Sequence, residues 1–88
     1  MNIEQKLEVL GYLLPHEIAR LLEKSGIKGY PAYSNHCPIA NFLNDGNNNV
    51  TVGLSTVVTN ERTYYLPFQV QEFIKKFDDG RYPKLVQH

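Results

Sequence analysis

One stretch concentrates the residue types that do chemistry: Ser34-Asn35-His36-Cys37-Pro38-Ile39-Ala40-Asn41-Phe42-Leu43. Cys37 is the only cysteine, with a histidine before it and a proline after it. Pro38 suits the first position of a helix, where its fixed φ fits and its missing N–H is not needed. Cys37 is then the N-cap, and Ile39, Phe42 and Leu43 form an i, i+3, i+4 apolar stripe before Asp45-Gly46 ends the helix. Cysteine is not a favoured cap, whereas Ser, Thr, Asp and Asn are. A sulfur there lies near the free amides of Ile39 and Ala40 and the positive end of the helix dipole, a setting that favours thiolate and makes a better nucleophile or redox handle. The alternative is packing: a small apolar side chain filling the space between the helix start and the segment that follows.

A catalytic thiol also needs a base delivered by a histidine and oriented by a third polar group. His36 is adjacent to Cys37, and neighbours in an extended segment point to opposite sides. His16 falls on the first turn of another helix, and His88 lies in the tail. No catalytic residue is therefore assigned; Cys37, His36 and His16 are the set that a thiol-dependent enzyme or redox-responsive protein would draw on. His16, His36, Cys37 and His88 show no metal-ligand spacing, so no metal and no cofactor are assigned. A phosphate loop and a paired-carboxylate cleft pattern are also missing from the sequence.

The elements that position this stretch can be read from apolar period and punctuation. Asn2 and Gln5 have the spacing of a capping box, Ile3, Leu7 and Leu10 repeat at helical intervals, and Gly11 is expected to close this first helix in a left-handed conformation. Glu4, Gln5 and Glu8 form its wet side. Pro15 opens a second helix with Ile18, Leu21 and Leu22 as its buried stripe, and Gly26-Ile27 fits a Schellman ending. Two adjacent helices raise a helix-turn-helix DNA reader. The second helix, however, exposes Glu17, Arg20, Glu23 and Lys24 rather than an array that reads base edges.

Ile27 to Ser34, with Gly29 and Pro31 between Tyr30 and Tyr33, reads as a loop or short edge strand with the tyrosine rings over the core. After the polar turn Asp45-Gly46-Asn47-Asn48-Asn49 the period changes to two. Val50, Val52, Leu54 and Val58 alternate with polar residues as one strand with a buried face, and Gly53 is expected to mark a bulge, the alternative being a close approach of another backbone. Thr59-Asn60-Glu61-Arg62 is a turn, and Thr63 to Leu66 returns as the second strand. A hairpin alone is marginal, so it must lean on helices or gain a third strand, for which Ile27 to Tyr33 is the only candidate. Leu66-Pro67 starts the last helix, with Val70, Phe73, Ile74 and Phe77 buried and Asp79-Gly80 at its end, and Tyr82-Pro83 with Leu85 is expected to dock on the body.

The expected fold is α+β: three N-terminal helices, a β-hairpin open to a third strand, and a C-terminal helix, all in one domain over residues 1–88. Residues 1–45 carry four basic and five acidic side chains and the remainder five and four, which is no electrostatic footprint for nucleic acid or an acidic membrane. No apolar run reaches the roughly 18 residues of a membrane helix, and Met1 to Lys6 lacks the pattern of a signal peptide. A cytosolic chain is expected. A lone cysteine suits a reducing compartment, and the Asn49-Val50-Thr51 glycosylation triplet is then an accident. The function expected is a non-enzymatic protein-interaction or regulatory module. Its partner is expected to be another protein, bound on a face shared by Tyr30, Tyr33, His36, Tyr64 and Tyr65, because tyrosines are enriched at interfaces and a hairpin edge can pair with a partner strand.

Overall fold

The side chain of Asn2 accepts the amide of Gln5 at 2.8 Å while the Gln5 side chain accepts the Asn2 amide at 3.2 Å, so α1 (Ile3–Gly11) begins at a complete capping box. In the computed structural model, which describes residues 2–31, 35–44 and 49–87, three more helices follow: α2 (Pro15–Lys24), α3 (Pro38–Leu43) and α4 (Phe68–Asp78). Pro15 starts α2, and the Glu17 carboxylate reaches back to the Leu14 amide at 2.9 Å. Both α2 and α4 end in Schellman motifs. Gly26 and Gly80 take positive φ, and the amides of Ile27 and Arg81 bond back to the carbonyls of Leu22 and Lys76 at 3.0 Å. None of the four helices is long and apolar enough to cross a membrane.

Three short strands, β1 (Thr51–Val52), β2 (Thr56–Val58) and β3 (Thr63–Tyr65), form an antiparallel sheet in the order β1-β2-β3. The fold is α+β, as the sequence implies, but the third strand has a different origin. Residues 50–58 are not one strand. The chain reverses at Leu54-Ser55, with the Gly53 amide bonded to the Thr56 carbonyl at 2.8 Å, so Gly53 flanks a turn rather than forming a bulge. The reversal resets the alternation: Val52 pairs with Val57 and both are buried, whereas Leu54 sits exposed at the tip and Val58 faces out. Ile27 to Tyr33 does not supply a sheet strand among its described residues. Gly29 instead makes a single parallel bridge to Val86.

The core lies where α2 packs on α4, with α1 against the same helix and α3 wedged against α1 and β1. Phe73 and Phe77 of α4, Leu10, Ile18, Leu22, Ile39, Leu43 and Val57 are all essentially solvent-free. The segment after α4 closes one side. Tyr82 stacks on Phe73 with ring centroids 5.2 Å apart, and Leu85, in a 3-10 turn (Pro83–Leu85), is buried against α2.

Gly11 departs from expectation. It is the last residue of α1 and not a left-handed closer; the cap is Tyr12, in right-handed helical conformation. A Cβ at Gly11 would stand 3.2 Å from both Cβ and Cγ of Pro67, so the missing side chain lets the end of α1 press on the β3–α4 joint. Gly29 serves an even closer approach: a Cβ there would fall 2.5 Å from the His36 carbonyl oxygen and from the Pro38 nitrogen.

Candidate functional site

Cys37 caps α3 as its sequence position implies. Its sulfur accepts the Ala40 amide at 3.4 Å, and Pro38 occupies the first helical position. The side chain is buried, among the residues of the hydrophobic core. Burial pushes the thiol above its ordinary range; the amides of Ala40 and Ile39 pull it down but by less, and the charge of Asp78 adds to the upward push. A nucleophilic or redox-poised cysteine needs the opposite balance.

The histidines do not complete the set. His36 is exposed where Cys37 is buried, and the role visible for it is structural: its carbonyl accepts the Tyr30 amide at 2.9 Å and the Asn41 side-chain amide at 3.3 Å. Asn41 also donates to the Lys28 carbonyl at 2.6 Å, which ties the segment after α2 to the start of α3. His16 is exposed on the first turn of α2, and His88 lies outside the described residues. Among the described residues no three His, Cys, Asp or Glu side chains converge as a metal site would require.

The five residues expected to share a binding face are distributed differently. Tyr30 and His36 are neighbours through the backbone bond just given, and Tyr33 lies outside the described residues. Tyr64 and Tyr65, consecutive in β3, point to opposite faces of the sheet. Tyr64 pairs with buried Val57 and packs against the core, with the Arg62 guanidinium 5.8 Å from its ring centroid. Tyr65 pairs with Thr56 on the outer face and is 85 % exposed.

Tyr65 has a companion that the sequence did not single out. It lines a groove of about 400 Å³ together with Tyr12, which is 83 % exposed, and the groove wall is completed by Leu7, Gly11 and Pro67. The Gly11–Pro67 approach therefore joins the two tyrosines, since it brings the C-terminus of α1 against the residue two positions after Tyr65. Along α1 the same groove is edged by Glu4 and Glu8. Neither carboxylate is in an ion pair among the described residues. Like charges at i, i+4 destabilise a helix by about 0.2–0.5 kcal/mol. The only cation of α1, Lys6, points elsewhere: its ammonium donates to the Phe42 carbonyl at 3.0 Å and lies 5.6 Å from the Phe42 ring centroid. Among the described residues the groove thus carries two carboxylates outside any ion pair, two wet aromatic rings, an apolar wall and no positive charge.

The sequence held one partial signal for this groove. Glu4, Glu8 and Tyr12 repeat every four residues along one side of α1. That Tyr65 and Pro67 lie across from them depends on a tertiary contact that no local pattern encodes. Comparison with protein families, curated proteins and solved structures yields no match for this chain.

Proposed function

We propose that this protein is a non-catalytic protein-interaction module whose binding surface is centred on the Tyr12–Tyr65 groove. The observation that carries the proposal is the exposure of two large aromatic side chains, from segments far apart in sequence, on one groove. Exposed tyrosine offers a large amphipathic contact surface with little side-chain entropy to lose, which is why it is enriched at interfaces. Phe68, directly after Pro67 at the start of α4, is a further exposed aromatic, 67 % exposed. Strand β3 is at the edge of the sheet, where a partner backbone has access. Burial of Cys37, which favours the protonated thiol, weighs against the thiol-dependent alternative.

The test compares proteins recovered from cell extract by the wild-type chain and by a Tyr12→Ala/Tyr65→Ala variant whose amide spectrum shows it folded. A partner held by the wild type and lost by the variant is expected. Retention of every partner would remove this surface from the function.

A further inference from the structure

Glu4 and Glu8 lie one helical turn apart, a rise of about 6 Å along α1. In an extended chain, residues i and i+2 point the same way and stand about 6.6–6.8 Å apart, whereas i and i+3 point to opposite sides. An extended segment laid along the groove can therefore set alternate side chains opposite the two carboxylates. Among the described residues these carboxylates are in no ion pair and the groove has no cation. Tyr12 and Tyr65 stand at the end of α1 that Glu4 and Glu8 lead to. Carboxylates beside aromatic faces are met by guanidinium better than by ammonium, since its planar fork bonds a carboxylate bidentately and stacks on a ring.

We infer that the groove takes an extended protein segment bearing Arg-x-Arg, its two guanidinium groups on Glu4 and Glu8 and its flanking apolar side chain against Tyr12, Tyr65 and Pro67. The inference rests on the interaction role proposed above and specifies the chemistry of the partner.

The experiment is an amide-resolved titration of the full chain with blocked peptides that hold Arg-Leu-Arg, Lys-Leu-Lys or Arg-Leu-Ser-Arg in the same Gly/Ser frame. All three carry equal charge. The Arg-Leu-Arg peptide is expected to give saturable shifts at Glu4, Glu8, Tyr12 and Tyr65, and the other two to bind at least about threefold more weakly. Glu4→Gln/Glu8→Gln, two surface changes whose fold is read in the same spectra, is expected to weaken the Arg-Leu-Arg peptide about tenfold. Equal affinity for the three peptides, shifts centred on other acidic residues such as Asp78 and Asp79, an unaffected Gln variant, or no saturable shift would each overturn the inference. Failure here is separable from failure of the interaction role. If the arginine preference is missing while Tyr12→Ala/Tyr65→Ala still loses a cellular partner, only the partner chemistry is wrong.

Discussion

Gly11 and Pro67 meet so closely that a Cβ on the first would stand 3.2 Å from two carbons of the second. The contact seats the end of α1 on the joint between β3 and α4 and thereby sets Tyr12 beside Tyr65. Gly11→Ala adds helix propensity while crowding Pro67, and these opposing effects should leave stability within about 1 kcal/mol of wild type. Gly11→Val adds two further carbons at the contact and is expected to destabilise by about 1–3 kcal/mol in urea unfolding. It should also shift the Tyr12 and Tyr65 resonances, whereas Arg20→Val, at an exposed position of α2 away from the groove, should leave them where they are.

Gly29 is expected to be the least replaceable residue outside the core. Its amide bonds the Leu85 carbonyl at 2.9 Å, its carbonyl accepts the Gln87 amide at 2.8 Å, and its Cα faces the backbone of His36–Pro38. A Cβ would meet backbone atoms at 2.5 Å, and backbone cannot rotate aside as a side chain can. Gly29→Ala should cost at least about 2 kcal/mol by chemical denaturation and speed hydrogen exchange at Gln87. A variant of wild-type stability would contradict the close approach.

Cys37 should behave as a packing residue. Alkylation by iodoacetamide is expected to be slow below global unfolding, with no acceleration near neutral pH. Because burial raises its pKa, the folded state holds the thiol proton more tightly than the unfolded state does. The stability from this difference is fully present below the unfolded pKa of about 8.5 and is lost as pH rises from there through the folded pKa. Measured against Cys37→Ala, which leaves other titrating groups such as Tyr82 in both proteins, wild-type stability should fall with pH above about 8.5 and stay level with it below. Rapid labelling at pH 7 would place the sulfur in solvent and reopen a reactive role.

Tyr82 carries the packing of the segment that follows α4. Its ring stacks on Phe73, itself solvent-free, at 5.2 Å between centroids. Tyr82→Ala is expected to cost about 2–4 kcal/mol and to loosen Leu85, and Phe73→Ala about 3–5 kcal/mol. Equilibrium unfolding of the two single variants and the double variant measures the coupling, which should be at least about 0.5 kcal/mol for stacked rings.

Helices were legible because their signals are local. Leu14-Pro15 and Leu66-Pro67 mark entries, Gly26 and Gly80 mark exits, and the apolar stripes between them are buried with little exception. Leu21 is the exception, only partly buried, whereas Ala19 is buried beside Ile18 and Leu22. The sheet was half legible. The alternation of Val50, Val52 and Leu54 continues unbroken through a chain reversal, and Leu54-Ser55 lacks the Asn-Gly or Asp-Gly chemistry that announces a two-residue turn. The Cys37 cap is legible from Pro38, but the ionisation of the thiol depends on how much of the core closes over it, and here desolvation exceeds the pull of the helix amides. Among the tyrosines, chain position alone could not separate Tyr64, turned to the core beside Val57, from Tyr65, turned to solvent. For Tyr12 the four-residue repeat with Glu4 and Glu8 is the one local signal, and the rest of the groove lies across from it in Tyr65 and Pro67.

The interaction role is tested most directly by placing a photo-crosslinker at the groove. With benzoylphenylalanine substituted for Tyr65, irradiation in cells should give a discrete adduct with a second protein. The same group substituted for Lys75, exposed on α4, should not give that adduct. Adding Tyr12→Ala should diminish it. Identical products from positions 65 and 75, or none from position 65, would contradict a binding surface on the Tyr12–Tyr65 groove.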